Sequence, residues 1–186
     1  HSVRRLHNHC ADKNIVVYLS CQKYLERSLK SSISFEAEGY KSLIVIGSNE
    51  NHPETLGFEF DGKILKLPVI DDYEHLGSKV FYAYLILSLC GKPKSVTKVD
   101  DDIELDDPKI FSYCLTQINN KKIQYFGHII SPTHRNQCHG WHITKCSNKD
   151  LNHRGYQYPM PSKYACGGFG YILGPLLLKE CAIMYL

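Results

Sequence analysis

The sequence predicts an α/β domain built on a mixed, mostly parallel sheet, and three observations carry that prediction. Two short apolar, β-branched runs, residues 15–20 (IVVYLS) and 42–46 (SLIVI), are separated by one segment of helical rhythm. Strand, helix and strand with uniformly apolar strands is the pattern of a parallel sheet covered on both faces. A third β-branched run, 95–99, ends in three consecutive aspartates, Asp100, Asp101 and Asp102. Charge concentrated there suits an open α/β sheet, whose ligands bind outside the carboxyl ends of the strands.

The elements follow in order. Residues 22–39 are expected to be helical, with Tyr24, Leu25, Leu29, Ile33 and Ala37 on one side and Gly39 as the stop. After the 42–46 strand, residues 47–55 form a polar turn region. Residues 64–70 read as a strand carrying Ile64, Leu65, Leu67 and Val69, although Pro68 cannot donate to a ladder. Residues 74–89 are helical, with Leu76, Val80, Tyr84 and Leu87 on the apolar face and Gly91 and Pro93 beyond the end. Pro108 opens a helix to Ile118, and 123–130 is a further strand. The polar stretch 134–161 is expected to be loop-dominated. A segment containing Gly167, Gly168 and Gly170 leads into an apolar helix from Pro175. No internal repeat or linker interrupts this order, so residues 1–186 are read as one domain.

Composition narrows the function. Apolar residues make up 43% and charged residues 22%, as in an ordinary globular protein. A net charge of +3 without a basic cluster gives no footprint for nucleic acid. No apolar run approaches the ~20 residues of a membrane helix. No signal segment and no Asn-x-Ser/Thr sequon is visible, which favours the cytoplasm. The Golgi lumen is the expectation if the chain is an excised catalytic domain.

The eight cysteines form no C-x-x-C pair, and several have apolar neighbours, so buried free thiols are expected. His134, Cys138, His142 and Cys146 recur at every fourth residue. Four such positions on a helix span about three turns, too long to converge on one tetrahedral zinc. Gly140 and the pair Ile143-Thr144 also weigh against a helix there.

The acidic run, extended by Glu104, Asp106 and Asp107, is self-repelling unless neutralised. Its hard oxygen donors suit Mg²⁺, Mn²⁺ or Ca²⁺ better than zinc. An EF-hand is excluded because no glycine lies between Asp100 and Asp107. The ordinary reading of such a run is a solvated acidic turn.

Its surroundings sharpen the reading. Lys98-Val99-Asp100-Asp101-Asp102-Ile103 resembles the K-x-D-D-D-V motif of glycosyltransferase family 31, which includes β-1,3-galactosyltransferases, β-1,3-N-acetylglucosaminyltransferases and Fringe-related enzymes. Upstream, the stretch from Asp71 to Lys79 resembles that family's D-S-Y-x-N-L-T-x-K segment. Asp71, Tyr73, Leu76 and Lys79 keep the pattern, while His75 and Gly77 depart from it. Downstream, Tyr158-Pro159 and the stretch from Tyr164 to Tyr171 resemble its Y-P-x-Y-C-x-G-x-G-Y segment, and Trp141 matches the aromatic of K-W-Y.

The resemblance implies a GT-A fold, a Rossmann-type α/β sheet whose D-x-D motif holds a metal on a sugar-nucleotide diphosphate. It implies transfer of a hexose or N-acetylhexosamine from a UDP-sugar to a saccharide hydroxyl, inverting and with β-1,3 linkage. Asp102 and Asp100 would hold Mn²⁺ or Mg²⁺, and Asp71, Tyr73, Lys79, Asp100 and Asp101 would serve the nucleotide. Trp141, Tyr164, Gly167 and Gly168 would face donor or acceptor sugar. The family's general base lies in an E-D-V segment after the glycine-rich motif, so the base is expected beyond Leu186, in a missing C-terminal segment. The alternative is a non-catalytic or incomplete transferase-like domain that binds nucleotide sugar or glycan.

Overall fold

The computed structural model describes residues 1–50, 57–120, 123–130, 143–153 and 163–184. In chain order the elements are α1 (Ser2–Cys10), β1 (Asn14–Leu19), α2 (Leu25–Ala37), β2 (Lys41–Ser48), β3 (Glu59–Phe60) and β4 (Ile64–Ile70). They continue with α3 (Leu76–Ile86), β5 (Ser95–Asp100), α4 (Pro108–Asn119), β6 (Tyr125–Gly127), β7 (Ile129–Ile130), β8 (Tyr164–Ala165), β9 (Tyr171–Leu173) and α5 (Pro175–Ile183). One mixed sheet has the order β3-β4-β2-β1-β5-β9-β6, and β7 pairs with β8 separately. β4, β2, β1 and β5 run parallel, whereas β3 and β9 run against their neighbours. The expected mixed, mostly parallel α/β sheet is present.

Alternation along β1 feeds two layers. Ile15, Val17 and Leu19 pack towards α1, α3 and α5, while Val16 and Tyr18 pack towards α2 with Phe35 and Val99. Both faces of the strand are covered, which is why its sequence is apolar throughout instead of alternating.

The face of α2 corrects the expectation in part: Leu25 and Leu29 pack half-buried against the core as expected, whereas Tyr24, Ile33 and Ala37 are exposed. Its buried residues are Ser28, Ser31, Ser32 and Phe35, while Ile33 is 61% exposed and Tyr24 sits at the surface. Small serines let the helix lie close to the sheet, and their hydroxyls find partners. Ser28 Oγ donates to Ser20 Oγ at 2.7 Å, and Ser32 Oγ to the Leu29 carbonyl at 2.8 Å. A pattern read from large side chains alone misses a contact face of this kind.

Pro68 is tolerated inside β4 because little asks for its N–H. β3 pairs only with Leu65 and Lys66, and the β2 ladder is irregular between Ile46 and Ser48. The expected strand at 123–130 is split at His128, whose carbonyl accepts from Cys166 N at 2.8 Å. Its halves join different sheets. α1, β3, β8 and β9 lie outside the elements expected from the sequence. β9 has only three residues, too few to show a period, and α1 buries only Leu6 and Cys10.

Candidate functional site

The chain leaves β1 through α2 to β2 and β4, then returns through α3 to β5 on the other side of β1. The carboxyl ends of β1 and β5 therefore flank a topological switch point, where open α/β sheets hold ligands. A cleft of 580 Å³ opens there. Residues 19–21 after β1, Lys23, Tyr24 and Arg27, residues 71–74 after β4, Asp100 and Asp101, and residues 144–147 wall it.

Asp71 and Lys79 meet at the base of this cleft. Their charged atoms are 2.5 Å apart, and both side chains are 1% exposed. Asp71 Oδ1 also accepts from Gly47 N at 2.8 Å and Oδ2 from Gln22 N at 2.6 Å, while Lys79 donates to the Ser20 carbonyl at 2.9 Å. One buried pair thus ties together the ends of β1, β2 and β4 and the first turns of α3. Gly47 has to be glycine: a Cβ would lie 2.6 Å from the Val69 carbonyl and 2.8 Å from Asp71 Cα. These two motif residues brace the cleft, with their charges directed at each other and at backbone.

The acidic residues diverge. The turn after β5 closes with Ile103 N donating to the Asp100 carbonyl at 3.4 Å, and Tyr18 Oη donating to the Ile103 carbonyl at 2.9 Å holds it to β1. Asp100, 42% exposed, pairs with Lys98, whose ammonium also donates to the Gly167 carbonyl at 2.9 Å. Asp101, 14% exposed, pairs with Arg27 at 2.7 Å. Asp102 is exposed and acts on Arg27 through charge alone. Among the described residues no three His, Cys, Asp or Glu side chains are gathered as a metal cluster.

The glycine-rich segment lies against β5. A Cβ on Gly168 would sit 3.6 Å from Asp100 Oδ2, and one on Gly167 would sit 3.7 Å from Lys98 Nζ. Gly170 has φ +94°, and a Cβ there would meet the Lys98 carbonyl at 2.9 Å, so the close approach in this segment is to the acidic strand. Tyr164 lies on β8 with its hydroxyl buried and unpartnered, away from the cleft walls. Trp141, together with His134, Cys138, His139 and His142, lies outside the described residues. The described cysteines, Cys146 in the cleft wall among them, are free thiols.

Three contributors were not legible in the sequence. Arg27 stacks on the Tyr24 ring at 4.4 Å, Lys145 on the Tyr73 ring at 5.4 Å, and Glu74 accepts from Ser147 Oγ at 2.7 Å and Asn148 N at 2.9 Å. Those two bonds hold the Glu74 carboxyl below its ordinary range. Nothing in the sequence singles out these three charges, which are distinguished only by what each meets in space. No family model matches the chain, and no curated protein matches it at a significant level. No helix among the described residues is long and apolar enough to cross a membrane.

Proposed function

We propose that the chain is a GT-A-type, metal-dependent glycosyltransferase domain that moves a hexose or N-acetylhexosamine from a UDP-sugar to a saccharide hydroxyl. The observation that carries this reading is the position of the Asp100–Asp102 turn. It closes the carboxyl end of β5 beside β1, with Asp100 and Asp101 on the wall of a cleft large enough for a nucleotide. The motif resemblances at 71–79, 98–103 and 164–171 support it, because all three segments converge on β5 or on this cleft.

A divalent cation fits the donor chemistry, since Asp100 and Asp102 offer hard carboxylate oxygens, one half-exposed and one exposed. Those two residues would hold it, and when bound it would screen the diphosphate and stabilise charge on the leaving group. The chain's own residues do the rest. Tyr18 and the β5 backbone fix the turn before any ligand arrives, so little reorganisation is left for binding. Arg27 presents a planar fork suited to phosphate oxygens, held flat on Tyr24 and charge-balanced by Asp101. The Asp71–Lys79 pair keeps the walls in register.

A second reading is favoured by a specific feature. Lys98 and Arg27 already neutralise Asp100 and Asp101, which suits a domain that binds nucleotide sugar or glycan without turnover. Calorimetric titration of UDP in manganese, then in chelator, tests the first reading. Metal-dependent binding that Asp102→Ala abolishes, with the far-UV spectrum retained, is the expected result. Unchanged affinity in that variant would remove Asp102 from the metal site. Binding that ignores the chelator would favour the second reading.

A further inference from the structure

The wall of the cleft opposite α2 is made by residues 144–147, which lie far in sequence from the strand ends they cover. Glu74 fastens this segment, through the bonds from Ser147 Oγ and Asn148 N to the same oxygen, Oε1. A second closure fixes its backbone: Cys146 N donates to Asn152 Oδ1 at 3.1 Å, and Asn152 Nδ2 donates to the Cys146 carbonyl at 2.8 Å. Thr144 has φ +70°, a left-handed conformation that a β-branched residue adopts only when its surroundings dictate it. The segment is therefore held in one shape, and that shape sets Lys145 over the Tyr73 ring.

Among the described residues the carboxylates of the cleft have partners in place, while two of its cations, Lys23 and Lys145, are not paired with an acid. Asp71 meets Lys79, Asp100 meets Lys98 and Asp101 meets Arg27, Asp72 accepts from His75 N at 2.8 Å, and Lys23 lies over the Tyr24 ring at 5.0 Å. Lys145 likewise rests on a neutral aromatic face, which attracts the ammonium without cancelling its charge, and unlike Lys23 it is carried on the segment that Glu74 fastens. Among the described residues no carboxylate pairs with this cation, which leaves it available to an incoming anion.

We infer that residues 144–147 are a strap, fastened by Glu74, that delivers the Lys145 ammonium to the diphosphate of the bound nucleotide. Lys145 is then an anion-contacting residue and Glu74 a positioning residue. This rests on the nucleotide reading of the cleft, and its tests are arranged to fail separately from that reading.

The fastening is tested without ligand, by amide hydrogen exchange. The Asn148 amide is expected to be protected in the wild type and in Glu74→Gln, whose side-chain carbonyl still accepts, and unprotected in Glu74→Ala. Equal exchange in all three proteins overturns the strap. The contact is tested by titrating UDP and uridine, in manganese, into the wild type, Lys145→Met and Glu74→Ala. Loss of one charge-assisted contact predicts about tenfold weaker UDP binding with uridine unchanged. Glu74→Gln should bind UDP as the wild type does. Equal losses for UDP and uridine, or no loss in Lys145→Met, refute the anion contact. If the wild type binds no UDP, the nucleotide reading fails, and inorganic pyrophosphate becomes the probe. Pyrophosphate affinity unaffected by Lys145→Met would then overturn the inference as well.

Discussion

Replacing Lys79 by methionine isolates the energetics of the buried pair under the cleft. Methionine keeps the apolar stem and removes the ammonium, leaving Asp71 at 1% exposure with no counter-charge. Breaking a buried pair by removing one partner costs about 3–5 kcal/mol, because the remaining charge is neither solvated nor matched. Asp71 retains two backbone donors, Gly47 N at 2.8 Å and Gln22 N at 2.6 Å, so the lower end, about 3 kcal/mol, is expected. For a domain of this size that corresponds to a drop in Tm of about 6–12 °C. Asp71→Asn with Lys79→Met removes both charges, and the double variant should recover part of the loss. A coupling free energy of about 2 kcal/mol or more is expected from the cycle. The assay is urea unfolding followed by far-UV circular dichroism, with m unchanged so that the midpoint reports stability. A loss of less than about 1 kcal/mol in Lys79→Met, or strict additivity in the cycle, would refute the brace.

Two further outcomes follow from local geometry. Gly47→Ala should destabilise by about 1–3 kcal/mol, because its Cβ meets backbone atoms that cannot swing away. Gly77→Ala, in α3 with nothing within 4 Å, should stabilise by up to about 1 kcal/mol; thermal unfolding of the two variants separates them by sign. His9 is half-buried between the Ser42 carbonyl, 3.0 Å from Nε2, and the Phe60 ring, and burial lowers its pKa. The unfolded chain therefore takes up the proton more readily than the folded one. Stability from His9 is full above the ordinary histidine value of about 6.5 and is lost as pH falls below it. Unfolding midpoints of the wild type and His9→Gln between pH 7.5 and 5 should converge as the pH falls, and parallel curves would exclude the effect.

The sequence alone determined the framework. The runs at 15–20 and 42–46 are apolar apart from Ser20 and Ser42 because both faces of their strands are covered, and that signal is local. Pro108 likewise announced α4, and the structure adds the cap: Asp107 Oδ1 accepts from Lys109 N and Ile110 N, which needs no distant partner. The acidic run was visible because three like charges in a row are conspicuous wherever they fold.

Tertiary structure alone decided the rest. The serine face of α2 was hidden because small residues carry no hydrophobic periodicity, although they set how closely a helix packs. β9 was hidden because three residues hold their place by pairing with β5 and β6, from about 75 and 45 positions upstream in the chain. The partners of the site charges were hidden for the same reason. That Asp71 answers Lys79, Asp101 answers Arg27, and Glu74 holds the segment carrying Lys145 depends on side chains meeting across separate elements. Residue types can nominate charges for a site, but only the fold assigns each charge the neighbour that fixes its role.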